Sequence, residues 1–192
     1  GFHRMTDLIW AAGDAQAKGF LIGGISGRTT LAGEGLQHQD GHSHHFAYAV
    51  PNLKAYDPTF AYELAVIVRD GLYRMYEKQE NIFYYITIMN EFYKMPPMPR
   101  GVRKGILKGM YRFKGSRKKN TKGQAHLLGS GAILNEAVKA KNILETKYNV
   151  AADVWSVTSY KELYQDALKV ERWNMLHPGA RPRVPYIQKC FS

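Results

Sequence analysis

Cysteine is almost absent from this 192-residue chain: Cys190 is the single one. That excludes an internal disulfide framework, leaves no CxxC metal motif and fits a reducing compartment. Long apolar runs are missing too, since no stretch approaches the roughly 18 residues that a membrane-spanning helix needs. The opening residues, GFHRMTDLIWAAGD, lack the basic, apolar and small-residue order of a signal peptide. The expectation is a water-soluble, cytoplasmic protein with no membrane partner. An initiator methionine is lacking as well, and the chain stops right after the short run Val184–Ile187. Both ends read as cut, so a piece of a longer polypeptide is expected.

Acid is missing from one region. Between Glu91 and Glu136 there is no aspartate or glutamate, yet eleven basic residues stand from Lys94 to Lys122. Of the chain's 27 lysines and arginines, the other 16 equal its 16 acids, so the whole excess of +11 sits in that segment. Tyr111 and Phe113 lie among the basic side chains, which suits single-stranded nucleic acid. No RNA-binding or zinc-finger pattern accompanies them, and the expectation is no nucleic-acid partner. A solvated connector, or a face that docks an acidic partner, explains the same charge.

What is present is densest between Gly27 and His44, GRTTLAGEGLQHQDGHSH. Four glycines, two carboxylates and three histidines stand there without an apolar face of either period, so the run reads as a long loop. Apolar segments close on both sides (Phe20-Leu21-Ile22 and Phe46 to Val50) argue for an ordered loop, and such loops carry function.

Around it the pattern alternates strand and helix. Thr6 is placed to cap a helix through about Lys18, stopped by Gly19. Phe20–Ile22 reads as a short buried strand. Asp57-Pro58 reads as cap and first turn of a helix with apolar Phe60, Leu64, Ile67, Val68 and Leu72. Asn81–Met89 is β-branched and aromatic without alternation, a strand covered on both faces. Three prolines in 95–99 break the pattern, and Lys114 to Gly123 reads as a connector. Beyond it come a strand near 125–128, a helix near 132–148, a strand near 152–158, a helix near 160–173 and a last strand at Val184–Ile187. Strands alternating with helices imply α/β architecture, mostly parallel sheets with helices on both faces. Trp10, Trp155 and Trp173 are expected to pack between sheet and helices, and Cys190 as a small buried apolar residue.

His38, Asp40, His42, His44 and His45 leave three chemistries open. Imidazole and carboxylate are zinc ligands, though their spacing is neither that of a finger nor of a helical pair. Histidine also serves as acid or base near neutral pH, and as a donor to an oxyanion.

GRTTLAGEGLQHQDGHSH, followed by YDP and an apolar helix, resembles the homodimeric bacterial pyruvate dehydrogenase decarboxylating components, within the transketolase-like family of thiamine diphosphate enzymes. AAGDAQAKGFLIGG, MYEKQENIFYYIT, LLGSGAIL and VERWNMLHP extend the resemblance over almost the whole chain. It implies residues 1–105 as the end of a pyrimidine-binding domain, 106–123 as a basic connector and 124–192 as the first part of a transketolase C-terminal-type domain. It implies His38 as the histidine that contacts the thiamine adduct, and Asp40 and His44 as the pair facing cofactor and substrate. His42 and His45 have weaker claims, and no residue here is implied as a metal ligand. It further implies thiamine diphosphate and magnesium, pyruvate as substrate, a homodimer, and the lipoyl domain of a dihydrolipoyl acetyltransferase as acceptor. The magnesium–diphosphate motif and the glutamate that activates the aminopyrimidine are missing, so most cofactor ligands lie outside the chain. A ketol transferase of the same family is the alternative, weakened by the lack of a GEDGPTH-like proline.

Overall fold

The computed structural model describes residues 2–25 and 41–191. It holds α1 (Thr6–Asp14), β1 (Phe20–Ile25), α2 (Ser43–Ala49), β2 (Leu53–Tyr56), α3 (Ala61–Leu72), β3 (Phe83–Met89) and α4 (Arg103–Lys108). Then follow β4 (Met110–Lys114), β5 (Gly123–Gly129), α5 (Ile133–Lys147), β6 (Val150–Val157), α6 (Tyr160–Leu176) and α7 (Tyr186–Phe191). Two three-stranded sheets result. β1–β3–β2 is wholly parallel, and in β4–β6–β5 the β5–β6 pair is parallel while β4 runs antiparallel at the edge.

β3 is the centre of the first sheet, which explains its unbroken apolar sequence. Phe83 and Tyr85 face a cluster with Phe2, Ile9, Ala47 and Leu53, while Tyr84 and Ile86 face Ile67 of α3, Met75 and Ile106. Each face is covered, so alternation would have put polar groups into a core. Burying one such aliphatic side chain is worth about 1.5–3 kcal/mol. In the second sheet, Val154 packs with Phe60 and Leu134 of α5 on one face, and Trp155 with Met110 and α7 on the other.

Several expectations are corrected. Val184–Ile187 is no strand: the chain turns into α7, as Pro185, lacking an N–H, stands just ahead of a helical turn. The basic region is not all connector, because α4 and β4 lie within it. β4 escapes notice because its pairing partner, β6, is some forty residues downstream. Thr6 does not cap α1: its hydroxyl donates to the His3 carbonyl, and Met5 stands at the cap position. α3 starts at Ala61, not at Asp57. Its free N–H groups at Thr59 and Phe60 are taken by the Glu63 carboxylate (2.6 and 3.1 Å), which leaves Asp57 for other work. Trp10 is 48 % exposed rather than packed, and Trp173 is half-buried, stacked on His177 with the Arg183 guanidinium 3.8 Å from its ring centre. Cys190 is only partly buried.

The two sheets are joined by buried polar bonds. The other Glu63 oxygen accepts from Tyr111 Oη (2.7 Å) and Ser156 Oγ (2.6 Å) of the second sheet. Ser159 Oγ donates to the Ala55 carbonyl (2.6 Å) while accepting from Glu162 N (3.0 Å), so it caps α6 and ties it to β2 at once.

A candidate active site between the sheets

The C-terminal ends of β2, β3 and β5 point to one place, where α/β proteins bind ligands. A cavity of about 460 Å3 opens there. Its first wall comes from the start of α2, with His42, Ser43, His44, His45 and Tyr48, and from Asp57 just past β2. The opposite wall is Leu128, Gly129, Ser130 and Ile133 around the end of β5, with Ser159, Tyr160 and Lys161 at the start of α6. Each unit supplies one side.

His44 is held from below. Its Nε2 lies 2.9 Å from Thr87 Oγ1 on β3, and that hydroxyl donates to Asp57 Oδ1 at 2.6 Å. Its ring also stands against Tyr85 at 5.4 Å. Asp57 is itself fixed to the second unit: its N–H donates to the Thr158 carbonyl (2.7 Å) and its carbonyl accepts from Gly131 N (3.3 Å). Gly131 has φ +51°, and a Cβ there would come within 2.5 Å of Met89 Cε and 3.3 Å of Asp57 Oδ1. A side chain there would be strained by that φ and would have to push aside the end of Met89, so glycine suits the turn.

Lys161 is the least expected member. Its side chain is buried, and Nζ donates to the carbonyls of Ala47 and Val50, 2.6 Å each, at the C-terminal end of the histidine helix. The Ala47 carbonyl also accepts from Val50 N (3.4 Å) and the Val50 carbonyl from Leu53 N (3.3 Å), and a cation suits that end of the helix dipole. Burial, with a smaller push from Lys54, brings its pKa down to about 8 against an opposing pull from Glu162. Glu162 is bound to Lys54 at 2.9 Å. Burial raises the Tyr48 hydroxyl above its ordinary range, and Tyr160 and Tyr164 add to that.

Of the residues singled out by sequence, His44 lies in the wall, and His42 and His45 stand exposed at its mouth. His38 and Asp40 lie outside the described residues. Asp57, Thr87 and Lys161 were missed as site residues. The YDP string flagged Asp57 only as a cap, and nothing local marks a threonine in a strand or a lysine in a helix. The eleven basic side chains of 94–122 are all exposed, and four of them (Arg100, Lys104, Lys108, Arg112) join Lys189 around a separate cavity of about 610 Å3. Among the described residues no group of three or more His, Cys, Asp or Glu side chains is placed to hold a metal ion. The cavity holds one carboxylate, Asp57, whose Oδ1 already accepts from Thr87, among imidazole, hydroxyl and ammonium groups that suit the oxygens of an organic ligand better than a hard cation. Among the described residues no helix is long and apolar enough to cross a membrane.

Residues 1–96 match the family model of the pyruvate dehydrogenase E1 component middle domain. The chain belongs to the pyruvate dehydrogenase E1 component family. Residues 109–191 match the transketolase-like C-terminal domain, so β4 falls within that second match. Among its relatives, the pyruvate dehydrogenase E1 component of Escherichia coli K12 is 59% identical over 193 aligned residues. That of Pseudomonas aeruginosa is 56% identical over 192 and that of Haemophilus influenzae 53% over 193. All three alignments take in 100% of this chain and 22% of the relative, so it spans about a fifth of the length of these E1 components. Among solved structures, a transketolase from Pichia stipitis aligns with TM-score 0.56 and 16% identity over 84% of this chain and 23% of that one. A transketolase from Leishmania mexicana gives 0.52 and 15% over 69% of this chain and 18% of that one. At such identities these likenesses speak for the fold alone.

Proposed function

We propose that this chain supplies one side of the active site of a pyruvate dehydrogenase E1 component. The reaction is thiamine diphosphate-dependent oxidative decarboxylation of pyruvate, with the acetyl group passed to the lipoyl domain of a dihydrolipoyl acetyltransferase. The observation that carries this reading is His44, anchored by Thr87 and Asp57 in a cavity between two sheets of this family's fold. Thiamine diphosphate, when bound, makes the keto carbon of a 2-oxo acid able to lose carbon dioxide.

The chain's own residues supply placement and protons. Addition to a ketone builds negative charge on its oxygen, and an imidazole in a water-poor cavity donates to that oxygen or accepts its proton. His44 does this from the described wall, and the family resemblance assigns His38 to contact with the cofactor adduct and Asp40 to the same catalytic set. Lys161 holds the histidine helix from its far end. Magnesium and the diphosphate are assigned to residues outside this chain, because the donors here do not suit them. The homodimer and the cytoplasmic location complete the proposal, the last supported by the single cysteine.

In an intact E1 component carrying this chain, His38→Ala and His44→Ala should each lower pyruvate turnover by about 10²–10⁴-fold. Both variants should fold normally, and unchanged turnover would remove the assignment. The 192-residue chain by itself should give no binding heat with micromolar thiamine diphosphate. A magnesium-dependent heat would place the missing ligands within it.

A further inference from the structure

Thr87 sits level with Asp57 for a reason visible in the register. Tyr56 of β2 pairs with Ile86 of β3, so the next residues, Asp57 just past the end of β2 and Thr87 still within β3, stand side by side. The Thr87 hydroxyl has one proton to give. Its neighbours are Asp57 Oδ1 at 2.6 Å, the Tyr56 carbonyl at 3.4 Å and His44 Nε2 at 2.9 Å. A carboxylate and a carbonyl only accept, so the proton goes to Asp57, and the oxygen's lone pair then takes a proton from the imidazole. Thr87 is 0 % exposed, so no bulk water competes for either place.

We propose that Thr87 and Asp57 are positioning residues that hold neutral His44 as one tautomer, with its proton on Nε2 and its basic nitrogen at Nδ1. The inference rests on His44 as the cavity's acid–base residue. The proton shared with Thr87 is thereby kept on Nε2, which leaves the lone pair of the neutral ring on Nδ1. When His44 takes up a second proton there, the Asp57 carboxylate offsets the charge through the hydroxyl. The anchor cannot drift, because the Asp57 backbone is bonded to Thr158 and Gly131 of the other unit. The further titratable groups facing the cavity are His42, His45, Tyr48, Tyr160 and Lys161.

Nitrogen-15 NMR of the histidine-labelled full chain, with His44 assigned through His44→Gln, reads the tautomer directly. The wild type should show Nε2 protonated and Nδ1 bare at a pH where the ring is neutral. Thr87→Val, which keeps the shape and removes the hydroxyl, should admit a Nδ1-protonated fraction. In the intact E1 component it should lower kcat about ten- to a hundredfold with KM changed less than about twofold, as for a buried hydrogen bond left unpaired. Thr87→Ser should restore the single tautomer and most of kcat. A Nδ1-protonated or mixed wild type, or a single Nε2-protonated form in Thr87→Val, overturns the proposal. The wild-type spectrum decides even if the valine variant fails to fold. Normal turnover in His44→Ala would sink the functional reading alone, since the spectrum tests the hydrogen-bond chain without any assay of activity.

Discussion

Two buried ionisable side chains cross the junction in opposite directions, and they are held quite differently. Glu63 of the first unit reaches the second sheet and accepts four donors: two backbone N–H groups, Tyr111 and Ser156. Lys161 of the second unit reaches back to the first and donates to two carbonyls, with no carboxylate bonded to it among the described residues. Glu63 is saturated and is not among the residues that line the cavity, whereas Lys161 forms part of the cavity wall. A fully bonded buried charge holds a joint rigid. A cation beside a cavity, bonded only to dipoles, is one whose charge state can respond to pH.

The sharpest way to break this contrast is Glu63→Ala. It leaves two hydroxyls and two helix-end N–H groups buried without their acceptor, and should cost about 3–5 kcal/mol in denaturant unfolding. A loss below 1 kcal/mol would mean that the joint does not depend on Glu63.

Lys161→Met should have a smaller effect at pH 7, within about 2 kcal/mol in either direction, since it exchanges a buried charge for an apolar chain of similar length. The pH dependence separates the two cases. Lys161 has a folded pKa of about 8, below the ordinary lysine value, so between pH 8 and about 10 the unfolded chain binds more protons than the folded one. Stability contributed at this position is therefore least below pH 8 and rises as pH climbs through that window. Wild type should gain on Lys161→Met over pH 8–10 in matched unfolding curves, and a constant gap would refute the depressed pKa.

Ser159→Ala removes a cap and a bond between units together, with an expected cost of about 1–2 kcal/mol. Smallest in energy is a cut in the connector. Limited trypsin should cleave first among Arg117, Lys118, Lys119 and Lys122, which are exposed between β4 and β5. β4 pairs with β6, so the pieces should elute together from a sizing column rather than part as two free units. First cuts at Arg69 or Lys139, inside α3 and α5, would break this picture.

Much of the architecture was legible in local pattern. The covered strand at Phe83–Met89, the helices α5 and α6 and the strand β6 follow from periodicity and composition, because their own residues carry the reason for their form. The histidine-rich stretch announced itself by residue type, and His44 lies where a ligand would be met. Elements whose reason lies far along the chain were not legible. β4 exists through β6, and α7 replaces an expected strand because its partly buried side chains meet Met110, Trp155 and Leu163. Asp57 looked like a cap since a DP pair is one locally. Its carboxylate was instead claimed by a threonine thirty positions away, and Glu63 took the cap.

By itself the sequence determined the α/β class, the family and the histidine-bearing segment, for these are written in short-range order and residue chemistry. Only the tertiary structure decided which polar groups share a proton or a buried bond. His44, Thr87 and Asp57 meet because β2 ends in register beside Thr87 of β3, and Lys161 meets α2 because the second unit closes over the first. Such bonds depend on ångström-scale distances between distant parts of the chain, and on the exclusion of water that gives them their strength.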